Sequence, residues 1–358
     1  MTARAATIRA AIVGCGRMAG WLEEDSRRGH PSTHAGAYQA VEATRLVACA
    51  SRTMESAQRF ATRFDIPAAY DDFERMLDEQ RPDVVSICTP ASVRLDVVRA
   101  AAACGVRGIF CEKALATSLA EADELVALCR THGIAVAVNH SRRWCWDFRT
   151  LKGLVDDGRL GALQSVRGAF GGRVIHTGTH FFDALLWLAG PAEWVSAATW
   201  PHAEAAWARA DAVPGDENGD GDSVATIKMA SGAYAHVDAV GKDYFLFELD
   251  VLGSQGRVRI GNNGVLELFE SAESPHYDGF FELRRAAFPS PPPGETNPYV
   301  LAVEELVDVI EHGGDSSSTP EDARAALELA LAMFESGRRG GDRVTLPLAD
   351  RAFCIVSK

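Results

Sequence analysis

From Ile8 to residue 138, short apolar runs alternate with helical patterns, and that alternation constrains the fold more than any other feature. Runs of strand length lie at Ile8–Val13, 46–50, 84–88, 109–111 and 134–138, with a shorter one at Ala68–Tyr70. Residues 54–64, 72–78, 95–104 and Leu119–His132 read as helices, the last closed by Gly133. A helix is expected from near Arg17, interrupted by the polar stretch 23–33 and resuming over 34–41. Continuously apolar strands suit a sheet covered on both faces. Strands alternating with helices predict a parallel, doubly wound sheet.

After Asn139 the pattern changes. A helix at 148–155 and a strand at 163–171 precede an apolar helix at 179–188, which stops at Gly190-Pro191. Segments 224–229, 233–240, 245–252, 257–260 and 265–270 then alternate with period two. Successive strands without intervening helices imply an antiparallel sheet. The chain returns to helix at 298–311 and 320–336, where Pro320 and Glu321 after Ser318-Thr319 mark a helix start. A length of 358 residues exceeds one ordinary core. The expectation is an α/β chain of two domains: a Rossmann domain over 1–138 and an α+β domain with a mostly antiparallel sheet over 139–358. The stretch 202–222 reads as an irregular surface loop. Its Asp216-Glu217-Asn218-Gly219-Asp220-Gly221-Asp222 mimics part of a calcium loop, but the twelfth position is Ile227 instead of Glu. The Pro-rich 288–298 reads as a linker or rigid loop.

The formal net charge is −13. An acidic surface repels nucleic acid and anionic membranes, so neither is expected as a partner. No stretch approaches the ~20 apolar residues of a membrane span, and the N-terminal residues do not resemble a signal peptide. Cys15, Cys49, Cys88, Cys104, Cys111, Cys129, Cys145 and Cys354 form no CxxC pair and mostly sit in apolar runs. Buried free thiols in a reducing, cytoplasmic compartment follow.

Two motifs carry chemistry. Gly14-Cys15-Gly16-Arg17-Met18-Ala19 follows the first strand, the context in which a GxGxxA turn holds a dinucleotide pyrophosphate. Gly14 permits the tight turn, Gly16 lets backbone N–H groups approach the phosphates, and Ala19 allows close packing on the strand. The end of the second strand holds Ser51-Arg52 where a ribose-binding carboxylate is usual, which favours NADP over NAD because Arg52 can pair with a 2′-phosphate. Glu112-Lys113 follows the strand at 109–111 and places a carboxylate and an ammonium where open parallel sheets bind ligands. His176 and His180 share a spacing known from zinc sites, but no Glu lies between them and no third ligand is evident, so no metal is expected.

These residues, with Cys88-Thr89-Pro90, Asn139-His140-Ser141-Arg142-Arg143-Trp144, Gly178-Thr179-His180-Phe181-Phe182-Asp183 and Val344-Thr-Leu-Pro, resemble the glucose–fructose oxidoreductase / inositol dehydrogenase / MocA (Gfo/Idh/MocA) family of sugar and cyclitol dehydrogenases. The resemblance spans nearly the whole chain. It implies a large, open sheet in the second domain and pairing into homodimers or homotetramers. It implies cofactor contacts from Gly14, Gly16, Arg17, Met18, Ser51, Arg52, Thr89, Pro90, Glu112 and Lys113. Lys113 would also touch substrate, and His180 would transfer the proton. His176 stands where an Asp is frequent in the family and is a candidate to reach a substrate hydroxyl or tune His180. Arg143, Trp144 and Asp183 are further substrate candidates, with packing as the alternative for each. Ala114 replaces the proline after the lysine, and Ala91 and Arg94 replace an Asn and a His. The expected reaction is reversible oxidation of a secondary alcohol on a sugar, sugar derivative or cyclitol. Two other readings stay open: a nucleotide-binding sensor without turnover, and an epimerase or lyase with tightly held NAD(P).

Overall fold

A computed structural model of the chain describes residues 7–171, 173–200, 221–241, 244–294 and 297–354. The fold divides into two compact units. The first comprises residues 1–144 and 296–324, the second 145–295 and 325–358.

The first unit is built on a six-stranded sheet in the order β3-β2-β1-β4-β5-β6. Its strands are β1 (Ile8–Val13), β2 (Thr44–Ala50), β3 (Ala68–Tyr70), β4 (Val84–Ile87), β5 (Gly108–Cys111) and β6 (Ala135–Val138). Every neighbouring pair is parallel. β4 and β5 are buried along their whole length, as a sheet covered on both faces requires. The crossovers are α1 (His34–Ala40), α2 (Met54–Arg63), α3 (Phe73–Gln80), α4 (Ala91–Ala103) and α5 (Leu119–His132). Start signals are local. Thr53 caps α2 by accepting from Ser56 N, and Asp72 caps α3 by accepting from Glu74 N and Arg75 N. Ser118 caps α5 by accepting from Glu121 N, while the Glu121 carboxylate accepts from Thr117 N and Thr117 Oγ1; the helix ends on Gly133 at φ 64°.

One expectation is corrected. No α-helix starts near Arg17. The chain makes a single turn closed by Gly20 N to Gly16 O at 3.3 Å, then a 3-10 turn at Trp21–Glu24, and departs. When α1 begins, His34 N donates to Met18 O at 3.2 Å and Ala35 N to Ala19 O at 2.8 Å. The helix is therefore split, and these are amide–carbonyl bonds that an unbroken helix would make within itself. The break falls at Gly20, where any side chain would meet the rings of Phe60 and Phe64.

The second unit carries α6 (Trp146–Asp156), α7 (Thr179–Ala189) and a nine-stranded sheet in the order β14-β13-β12-β11-β7-β10-β9-β8-β15. The strands are β7 (Leu163–Phe170), β8 (Ala192–Trp200), β9 (Asp222–Met229), β10 (Tyr234–Ala239), β11 (Phe247–Gly253), β12 (Gly256–Gly261), β13 (Val265–Glu273), β14 (Phe281–Ala286) and β15 (Val344–Thr345). All pairs are antiparallel except β7 with β10. Burial alternates along β10 and β12, so one sheet face is packed and the other is open. α7 lies on the packed face. A methyl on Gly168 of β7 would come within 1.9 Å of the Phe181 ring, so the missing side chain is the seat for that ring. β8, β14 and β15 were not among the expected strands. Of the irregular stretch 202–222, which includes the calcium-like 216–222, the residues up to 220 lie outside the described residues. Residues 287–294 form neither helix nor strand, as their prolines predict.

α8 (Pro298–His312) returns to the first unit and buries Val300, Val303 and Leu306 in its core. α9 (Pro320–Arg338) follows, and its first residues belong to the same unit. No helix among the described residues is long and apolar enough to cross a membrane.

Candidate functional site

Parallel strands end on one edge. The chemistry-bearing residues of the first unit therefore meet there: Gly14 after β1, Ser51 and Arg52 after β2, Thr89 and Pro90 after β4, Glu112 and Lys113 after β5. The strand order reverses between β1 and β4, and ligands of open α/β sheets bind at such a switch point.

Gly14 has φ 94°, and its N–H donates to Ala50 O at 2.8 Å. A Cβ there would lie 2.8 Å from the backbone carbonyl of Cys88, so the turn closes directly over the end of β4. Beside Gly16 there is open space, with nothing within 4 Å of where a Cβ would sit. Arg17 is exposed, Met18 half-buried and Ala19 fully buried. Close approach on one side of the turn and room on the other fit a dinucleotide pyrophosphate. Trp21 fastens the departing segment, its Nε1 donating to Cys15 O at 3.0 Å. Ser51 N donates to Tyr70 O at 3.0 Å. Arg52 is exposed and makes no ion pair among the described residues.

Glu112 faces inward and is 5% exposed. Its Oε1 accepts from Asn139 Nδ2 at 2.7 Å and from His34 Nε2 at 3.1 Å. His34 Nδ1 lies 2.9 Å from Ser86 Oγ, which donates to Tyr38 OH at 3.0 Å. The His34 ring packs on Phe110 with centroids 4.1 Å apart. Burial alone would raise the Glu112 pKa. The hydrogen bond and charge of His34, the Lys113 ammonium and the Asn139 bond outweigh it and hold the carboxyl at about 2. A carboxyl held below its ordinary 4.5 adds stability that is present above pH 4.5 and is lost as pH falls through 2. Unfolding free energy of the wild type, measured in urea from pH 5 to pH 2, should therefore fall more than that of Glu112→Gln. The expected difference is on the order of 3 kcal/mol. Parallel curves for the two proteins would contradict the network.

Lys113 is half-buried, directly after this carboxylate, and a cis peptide bond joins it to Ala114. Its carbonyl accepts from Arg94 Nη2 at 3.1 Å. The same guanidinium donates to Thr89 O through Nε at 3.1 Å and Nη2 at 2.9 Å. Thr89 Oγ1 is buried without a partner, and Pro90 caps the N-terminus of α4.

Arg143 and Trp144 are 7% and 2% exposed. Arg143 Nη1 donates to Ser317 O at 2.9 Å, and Nη2 pairs with Asp322 Oδ1 at 3.2 Å. Trp144 Nε1 donates to Glu305 Oε2 at 2.9 Å. Both side chains are thus engaged inside the first unit, with α8 and the start of α9.

In the second unit His176 sits exposed in a π-helical turn, Val174–Gly178, which runs straight into α7. Such turns inside helices are frequent at functional sites. The junction is tight, because a Cβ on Gly178 would lie 2.9 Å from the Phe170 ring. His180 is half-buried in the first turn of α7, and Asp183 is 1% exposed one turn later. Phe181, between them in sequence, is locked over Gly168, which fixes the backbone that carries both. Among the described residues no three of His, Cys, Asp and Glu converge as a metal site.

The sequence reading missed His34 and Arg94. The partners of His34, Ser86 and Glu112, lie 52 and 78 residues away in the chain, and Arg94 binds carbonyls, which leave no mark on residue type. The one available signal was the restart of helical pattern at His34.

Comparison with known proteins gives two family matches. Residues 8–140 match the oxidoreductase-family model of an NAD-binding Rossmann fold, and residues 164–346 match that family's C-terminal alpha/beta domain. Among curated proteins, the chain is 25% identical to D-apiose dehydrogenase of Paraburkholderia graminis, over 93% of this chain and 88% of that one. Among solved structures, levoglucosan dehydrogenase in complex with NADH and L-sorbose superposes with TM-score 0.76 at 19% identity, covering 96% of this chain and 100% of that one. The WlbA dehydrogenase of Bordetella pertussis, in complex with NADH and UDP-GlcNAcA, superposes with TM-score 0.74 at 21% identity, covering 96% and 99%.

Proposed function

We propose, on the premise that the chain belongs to the Gfo/Idh/MocA oxidoreductase family, that it is an NAD(P)-dependent dehydrogenase or reductase. Its substrate is a secondary alcohol, or the matching ketone, of a sugar, sugar derivative or cyclitol. One observation carries the reading: the open side of the Gly14–Gly16 turn and Lys113 lie on the same sheet edge, at the ends of β1 and β5 with only β4 between them. The relatives named D-apiose dehydrogenase and levoglucosan dehydrogenase support the substrate class.

The bound nicotinamide supplies hydride exchange with the carbinol carbon. The protein supplies position and charge. The Gly14–Met18 turn would hold the pyrophosphate, and Thr89 and Pro90 would add further contacts to the cofactor. Glu112 is buried and holds the Lys113 segment from beneath. The Lys113 ammonium stabilises negative charge developing on the substrate oxygen. His180 takes the hydroxyl proton, or returns it in the reductive direction, as a general base or acid. His176 reaches a substrate hydroxyl or tunes His180, and Asp183 binds substrate or orients a neighbouring group. Arg143 and Trp144 serve the frame that carries the site.

Arg52 supports NADP as the preferred cofactor, since its exposed guanidinium follows β2 without an ion-pair partner among the described residues. Fluorescence titration with NADPH and NADH in parallel tests this. NADPH should bind more tightly, and Arg52→Ala should weaken NADPH by about tenfold or more while changing NADH little, as loss of one charge-assisted pair implies. Equal losses would refute the assignment to Arg52. Binding of neither nucleotide, with no cofactor carried through purification, would end the redox reading itself. The open face of the nine-stranded sheet supports homodimer or homotetramer formation, which light scattering would read. The eight free cysteines support a reducing, cytoplasmic setting.

A further inference from the structure

We infer that Arg94 is a positioning residue that sets the place of Lys113. The inference rests on Lys113 being the group that touches substrate. β4 and β5 pair from Val84 with Gly108 to Ile87 with Cys111, and the last ladder bond runs from Glu112 N to Ile87 O at 2.9 Å. The β4–β5 ladder ends at that bond, and Arg94 continues the tie between the two strand ends. From the first turn of α4 its guanidinium donates twice to Thr89 O and once to Lys113 O, and so ties the two strand ends together one step past the sheet.

The burial of Arg94 argues that this tie is its purpose. The residue is 4% exposed, has no ion-pair partner among the described residues, and leaves Nη1 buried without an acceptor. A buried charge in that state costs stability, and an apolar side chain of similar volume would pack there at least as well. What an apolar side chain does not supply is a rigid fork that fixes two carbonyls from different strands at once. Ala114, small and without a ring to restrict φ, adds no stiffness of its own to the segment.

The test uses the full chain with Arg94→Leu and Arg94→Lys. Three quantities are read: hydrogen–deuterium exchange of the peptide over 112–116, NADPH affinity, and kcat and KM on whichever polyol or ketose the wild type accepts. Arg94→Leu should raise exchange of that peptide by about tenfold or more, the signature of a local opening. It should lower kcat by about 100-fold, the cost of misplacing a reacting group by about 1 Å. NADPH affinity should hold within about threefold. Arg94→Lys, with the charge but not the fork, should fall between Leu and wild type. Unchanged exchange with kcat near wild type would overturn the inference. So would loss of protection spread across the first unit with a matching loss of cofactor affinity, which is how a packing residue behaves. Should the wild type turn over nothing on the panel, the catalytic reading fails, and exchange over 112–116 alone still decides whether Arg94 fixes the segment.

Discussion

Lys113→Met is expected to lower turnover by about 10²–10³-fold, the cost of removing one preorganised donor from a developing oxyanion. The substitution isolates the ammonium. Met keeps most of the length and apolar stem, and the backbone carbonyl that Arg94 holds is untouched. Cofactor affinity should stay within about threefold, because the pyrophosphate turn lies two strands away on the sheet edge. The loss should appear equally in kcat and kcat/KM, as expected for an interaction made only in the transition state. A rise in KM alone would instead assign Lys113 to ground-state binding. Turnover near wild type would remove it from the mechanism.

The sheets were legible for different reasons. β1, β2, β4, β5 and β6 stand out because strands buried on both faces are continuous apolar runs. β9 to β13 stand out through alternation, since one face is packed and the other open. β14 is only weakly marked: its alternation is short, and Phe281, Leu283 and both arginines on it are exposed, so burial singles out no packed face. The split of the first helix was half visible. The pattern showed an interruption at 23–33, but only the bonds from His34 and Ala35 to Met18 and Ala19 show that the pieces join. At the site, the motif placed Glu112 and Lys113 on the right strand end. It did not reveal that one faces inward to His34 and Asn139, because those partners are brought together by the sheet and not by sequence neighbourhood. Arg94 reads, by residue type, as a departure from the family pattern. Its contacts give it work.

The two glycines of the turn should lose the same affinity on substitution but differ in stability, and the contrast tests the dinucleotide assignment without any substrate. Gly14→Val meets two obstacles: φ 94° is strained for a β-branched residue, and the new Cβ would sit 2.8 Å from the Cys88 carbonyl. The end of β4 would have to move. A loss of roughly 2–4 kcal/mol in unfolding free energy is expected, with NADPH affinity down about 100-fold or more as the turn is displaced. Gly16→Val meets no neighbour, since nothing lies within 4 Å of its Cβ position. Stability should change by less than about 1 kcal/mol, as at ordinary surface sites. Yet the added side chain enters the space a pyrophosphate needs, so NADPH affinity should fall about 100-fold here too. Parallel urea unfolding and NADPH titration of the two variants separate the effects. Gly16→Val with wild-type stability and wild-type affinity would mean that no phosphate approaches the open side of this turn, and the dinucleotide reading of residues 14–19 would fall with it.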